Sequence, residues 1–206
     1  MTKEQLFKKF YNLNKWLYRR AKNPLKCHGP DHHFRVYKNA DYIIKKLKIK
    51  PDYSILIPAI FLHDITAFEP DKPTMDPWNH QGDLDDAKKA LFKLRYPADK
   101  IKKILGIIAV HGSNQKKIKK DEPIEATLLR DADKMDVMGQ IGIARIFMAL
   151  TRRGYDLKDF VQKYHREQNI REKYQAIKTK TARDLVRKDY EYSLKFFGEL
   201  DKKLKD

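Results

Sequence analysis

The sequence predicts an all-α fold, a single compact helical bundle, on three observations. Apolar residues recur at helical spacing along most of the chain, the most apolar run carries a proline that a central strand could not hold, and the breaks between stripes are short and rich in Pro and Gly. The first stripe is Leu6, Phe10, Leu13 and Leu17, and the second is Val36, Tyr37, Ala40, Ile43, Ile44 and Leu47. Between them "NPLKCHGP" reads as a loop. The run "YSILIPAIFLHDI" is expected to be a buried helix kinked at Pro58. After the loop "EPDKPTMDPWN", which could lie over a pocket as a lid, helices are expected at about 82–95, opened by the acidic turn "DLDD", and at 98–111, ending at Gly112. Two more follow at 123–136 and 140–153, the latter stopping before Gly154. A long last stripe runs through Ala182, Val186, Tyr190, Leu194, Phe197, Leu200 and Leu204.

Composition narrows the class of protein. A chain of 206 residues with 41% hydrophobic content has apolar material for one core, so one domain is expected. The single cysteine, Cys27, cannot form an internal disulfide, and no charged-then-apolar leader opens the chain, so the cytoplasm is the expected compartment. No apolar run approaches the roughly 20 residues of a membrane span, and no membrane association is expected. The net charge of +17 raises the local concentration of anions, whether phosphates or nucleic acid, without choosing among them. Lysines are spread over every helix, and only "KKIKK" at 116–120 is a true cluster, which could border a mouth and steer a polyphosphate.

One acidic residue conflicts with the helical pattern. In the helix from about 123 the apolar face is Ile124, Leu128, Met135 and Met138, and Asp131 occupies the position between them. Asp133 falls off that stripe, near Arg130 and Lys134, and Asp136 sits at its edge. A carboxylate turned toward a core is costly unless it is paired or holds a metal. Three histidines offer themselves: His33 at the head of the second stripe, His63 beside Asp64 at the end of the most apolar helix, and His111 at the end of the face Ile104, Leu105 and Ile108. One such histidine is ordinarily a hydrogen-bonded core residue, but four helices each aiming an imidazole or carboxylate inward are better explained by one divalent cation. His32 points about 100° away from His33, His28 lies in a loop, and His165 sits in a charged segment, so none of them is expected in the site. A Cys27–His28 nucleophile pair lacks an orienting third group.

"DHHFRVYKNA", "AIFLHDI", "IIAVHGS" and "LLRDADKMDVMGQIGIARIF" together resemble the HD-domain superfamily of metal-dependent phosphohydrolases. The resemblance spans about 28–150, and "TKTARDLVRKDYEYSLKFF" extends it toward the small stand-alone branch that includes nucleotide pyrophosphohydrolases. It implies a metal-site core over about 28–150 with C-terminal helices over about 156–206, and metal ligands His33, His63, Asp64 and Asp131. His80 and His111 fall in the order seen in two-metal members, implying a second ion or a phosphate contact, although His80 could equally bond the helix start at Asp83. Some branches carry an acidic helper three residues after the HD aspartate. Here that residue is Ala67, so no catalytic base carries over.

The resemblance implies one or two divalent ions per chain, drawn from manganese, cobalt, nickel, zinc, magnesium or iron. Such an ion makes water more acidic and neutralises charge growing on phosphoryl oxygens. Arg35, Lys134 and Arg145 lie near the ligands in sequence and are expected to hold the rest of a phosphate. The expected activity is metal-dependent cleavage of phosphate esters or anhydrides in nucleotides or other phosphorylated small molecules. The alternatives are a phosphodiesterase for cyclic or oligomeric nucleotides, a basic nucleic-acid-binding protein with a structural metal site, and a di-iron oxygenase.

Overall fold

The computed structural model describes residues 1–68, 81–111, 121–152, 154–157 and 166–204. All regular structure among them is helical: α1 (Lys3–Arg20), α2 (Pro30–Leu47), α3 (Tyr53–Leu62), α4 (Gln81–Lys93), α5 (Ala98–His111), α6 (Ile124–Met135), α7 (Gly139–Arg152), α8 (Arg166–Gln175) and α9 (Lys180–Lys203), with short 3-10 turns at Lys26–His28 and Ile65–Phe68. The all-α expectation therefore holds, and the boundaries read from the sequence fall within two residues of those observed for α4 to α7. His80, His165, the loop around 69–77 and the "KKIKK" cluster lie outside the described residues.

Each helix begins where its chemistry allows. Thr2 caps α1 in a reciprocal box with Gln5, Pro30 opens α2, Asp52 accepts from the Ser54 amide at the head of α3, and Thr179 caps α9. From Ile55 to Leu62, α3 is buried on every side, so it forms the axis of the bundle, with α1, α2, α5 and α6 packed around it. Pro58 sits inside this helix and frees the Ser54 carbonyl four residues back. The Tyr96 hydroxyl donates to that carbonyl at 2.6 Å, which is why the proline is tolerated. Asn14, fully buried in α1, donates to the Phe61 carbonyl at 2.8 Å and satisfies the C-terminal end of the same helix.

Three contacts place the elements that carry the site. Asn39 of α2 donates to the Ala132 carbonyl of α6 at 3.1 Å, locking the two helices side by side. Gly142 lets α7 begin directly behind the turn that ends α6: a Cβ there would lie 1.9 Å from the Val137 carbonyl oxygen. Asp83 of α4 accepts from the Thr66 amide at 2.9 Å and from its hydroxyl, pinning the 3-10 turn that follows the HD pair.

Candidate metal centre

His63 and Asp64 stand at the C-terminal end of α3, where the last carbonyls of a helix lack intrahelical partners. His63 uses one of them: its Nδ1 donates to the Ile60 carbonyl at 2.8 Å, which turns Nε2 inward. His111 repeats the device at the end of α5, with Nδ1 on the Ile108 carbonyl at 2.5 Å and Nε2 3.4 Å from Asp64 Oδ1. His32 in the first turn of α2 is held from behind by Asp136, Nδ1 to Oδ2 at 2.8 Å, and its Nε2 faces that of His63 at 3.3 Å. With both Nδ1 atoms engaged behind them, two imidazole lone pairs facing each other at that distance repel unless a proton or a cation lies between them.

Carboxylates complete the set. Asp64 Oδ2 lies 3.6 Å from His32 Nε2 and 3.4 Å from His63 Nε2, and Asp133 Oδ1 lies 3.6 and 3.9 Å from the same two atoms. His32, His63, Asp64 and Asp133 each present one ligand atom, all within 4.8 Å of one another. Two imidazoles and two carboxylates are the donor set of a divalent cation. Behind it, Asp136 is braced by Arg35, Nε to Oδ1 at 2.6 Å and Nη2 to Oδ2 at 3.0 Å, and by Arg145 at 2.9 Å. Support of this kind behind an imidazole fixes its tautomer and ring orientation.

The electrostatics match that geometry. Burial alone would raise the Asp64 and Asp133 carboxyls. The His63 charge with bonds from His111 and His32 holds Asp64 well below the usual carboxylate range, and Lys134 with His63 does the same for Asp133. Burial opposes charge on His63, but Asp64 and Asp133 outweigh it and push the imidazole up to about 9. Burial, joined by His63 and His32, keeps His33 neutral, far below its ordinary value.

Of the four ligands expected from the sequence, His63 and Asp64 join this group and His33 and Asp131 do not. His33 lies behind it: Nδ1 bonds the Gly29 carbonyl at 3.1 Å, and Nε2 is buried without a hydrogen-bond partner. Its neighbour His32 meets the group instead, held toward it by Asp136 from behind. Asp131 is fully buried as expected, yet it turns to the other side of α6. It accepts from the Lys178 and Thr179 amides, both at 2.8 Å, and from the Thr179 hydroxyl at 2.7 Å. The costly buried carboxylate is thus satisfied by backbone donors of the α8–α9 junction, which no local pattern announces.

Among the expected phosphate contacts, Lys134 Nζ lies 3.4 Å from Asp133 Oδ2, at the cluster. Arg35 and Arg145 instead hold Asp136, and Arg145 also donates to the Cys27 carbonyl at 2.7 Å. They are braces, because a fork already closed on a carboxylate has few donors left for a phosphate. His28, given no role in the sequence reading, has Nε2 3.7 Å from Asp64 Oδ2 and Nδ1 3.2 Å from Cys27 Sγ. Burial keeps His28 neutral, down at about 3.

No protein-family model matches the sequence. A curated relative, the uncharacterized protein YpgQ of Bacillus subtilis, is 30% identical over 84 residues, a stretch covering 38% of this chain and 40% of the relative. Solved structures agree over nearly the whole length. B. subtilis YpgQ in complex with ADP superposes with a TM-score of 0.66 at 23% identity, covering 98% of this chain and 97% of that one. An HD-superfamily hydrolase from Bacillus thuringiensis gives 0.64 at 23% identity, covering 98% of each. A Lactobacillus plantarum protein gives 0.71 at 20% identity, covering 97% of each. With its inward-facing His and Asp side chains set on α2, α3, α5 and α6, the chain shares the helical fold of the HD-superfamily hydrolases.

Proposed function

We propose that this chain is a metal-dependent phosphohydrolase acting on nucleotides, with His32, His63, Asp64 and Asp133 holding the ion. The observation that carries the reading is the convergence of those four ligand atoms within 4.8 Å, two of them imidazole nitrogens facing each other. The ADP bound by the B. subtilis protein of the same fold supports a nucleotide as the phosphate carrier. A divalent ion in such a site acts as a Lewis acid on a phosphoryl oxygen and brings the pKa of water near neutrality. The protein's own part is to hold both imidazoles by their Nδ1 atoms, to keep Asp64 and Asp133 ionised, and to place Lys134 where phosphate charge arrives. Asp64 turns Oδ1 to His111 and Oδ2 to His28, His32 and His63, so it is the group that a second ion would share. Burial of the cluster inside the bundle fits a single-domain enzyme, and none of the helices described is long and apolar enough to cross a membrane.

The test is a panel of nucleoside mono-, di- and triphosphates assayed with manganese, cobalt and magnesium for release of phosphate and pyrophosphate. Wild type should release one of the two, and Asp64→Ala should lose activity together with metal at unchanged helicity. A chain that binds no divalent metal, or equal activity in wild type and Asp64→Ala, would overturn the reading.

A further inference from the structure

Lysine is spread over every helix, but acid is not. The stretch 5–30 holds seven Lys or Arg residues and no Asp or Glu, in a chain that has 28 acids. Nearly all of α1 falls within it. Leu6, Phe10 and Asn14 are buried and set the inward line of that helix, so Lys8, Asn12, Lys15 and Arg19, spaced i, i+4, i+7 and i+11, line up on the outward one. Trp16 flanks this line and is 54% exposed. Two cations lie over rings: the Lys15 ammonium is 4.4 Å from the Tyr11 centroid, and the Arg20 guanidinium is 5.0 Å from that of Trp16. Among the described residues, Lys8, Lys15, Arg19 and Arg20 form no ion pair with a carboxylate.

We propose that this face of α1 binds single-stranded nucleic acid, with Trp16 stacking on a base and Lys8, Lys15 and Arg19 following the phosphates. From Lys8 to Arg19 the stripe is about 16 Å long at 1.5 Å per residue, so its cations can each meet a different phosphate of one strand. A cation over an exposed ring is held less strongly than a base that stacks there. A strand therefore displaces the Arg20 guanidinium from Trp16 and offers it a phosphate in exchange. Lys15 leaves Tyr11 on the same terms, and Tyr11 keeps Phe7 and Phe34 as ring neighbours, with centroids at 5.4 and 5.5 Å. An anionic membrane fits this face less well. A helix that lies in a bilayer surface must offer it an apolar side, and the apolar side of α1 is already committed to the core against α3. The surface contains no residue of the candidate metal centre, so it stands apart from the phosphohydrolase reading.

The experiment follows the fluorescence anisotropy of a labelled oligothymidylate of about 20 nucleotides titrated with the chain across a salt series, in EDTA so that no metal holds the strand. Trp16→Ala should weaken binding roughly 5- to 100-fold, the range for loss of one stacked base, and Trp16→Phe should recover most of it. Lys15→Gln combined with Arg19→Gln should flatten the slope of log affinity against log salt by about 1.4, at roughly 0.7 per phosphate contact on a single strand. Lys188→Gln combined with Lys195→Gln removes the same charge from the exposed side of α9 and should leave the slope unchanged. Asp64→Ala should bind the strand as wild type does. A wild type that binds no oligothymidylate at low salt, Trp16→Ala binding as tightly as wild type, or an equal change of slope in the α9 pair would each overturn the assignment. So would a preference for duplex of the same length, or loss of binding in Asp64→Ala, which would put the strand at the metal centre. Capture by phosphatidylserine vesicles without oligothymidylate binding would give the face to a membrane instead.

Discussion

Replacing Asp131 with alanine removes a carboxylate that accepts three hydrogen bonds, from the Lys178 and Thr179 amides at 2.8 Å and the Thr179 hydroxyl at 2.7 Å. Hydrogen bonds to a charged acceptor contribute ~1.5–3 kcal/mol each, but the donors lie at a partly exposed junction where water can re-solvate them, so the sum falls to about 3 kcal/mol. Unfolding of a chain this size shifts by roughly 2–4 °C per kcal/mol, which puts the Asp131→Ala midpoint about 6–12 °C below wild type. Manganese affinity should barely change, because Asp131 faces away from the cluster. Asp133→Ala should show the opposite pattern at the metal, with manganese binding lost, because Asp133 presents one of the four converging ligand atoms. Thermal unfolding followed by circular dichroism, paired with calorimetric titration of manganese, reads both quantities. Loss of manganese in Asp131→Ala with retention in Asp133→Ala would refute the placement of the two carboxylates.

Further outcomes follow from the same geometry. Because His63 sits at about 9 in the metal-free chain, manganese must displace its proton: at pH 7 calorimetry in two buffers of different ionisation enthalpy should report about one proton released, falling toward zero above about pH 9. The same raised value stabilises the metal-free fold, fully below the unfolded histidine range and progressively less as pH rises through about 9; no proton release at pH 7 would contradict this. Arg35→Met leaves Asp136 with a weaker brace, so manganese affinity should drop roughly 10–100-fold at unchanged helicity, as for other losses of outer support. Gly142→Ala places a methyl 1.9 Å from the Val137 carbonyl, and the forced shift should cost ~1–3 kcal/mol and lower the thermal midpoint. A midpoint equal to wild type would show that the turn yields freely.

Much of the fold was legible because α1, α2, α5, α6 and α9 each bury one clean stripe, and α3 is apolar on all sides. The HD pair could be found for a related reason: it ends α3, the one helix among the described residues with no polar face. The positions of His33 and Asp131 outside the converging group reveal a limit of helical-wheel reasoning. His32 and His33 are 1% and 0% exposed, so the first turn of α2 buries both imidazoles, and burial alone cannot say which ring meets the cluster. Asp131 and Asp133 are two residues apart on α6, and the wheel correctly buries the first. What it cannot see is that the partners of Asp131 come from a backbone segment more than 40 residues later.

The clamp on Asp131 also imposes an order of assembly. The residues that converge on the candidate metal centre, from His32 to Asp133, leave the ribosome well before Lys178 and Thr179, yet α6 cannot seat its other carboxylate in the interior until those two amides arrive. Until then a nascent α6 is held outward by an acid that only water can solvate. The final closure of the bundle therefore waits for its last two helices, and the site can reach its finished shape only once the α8–α9 junction is in place.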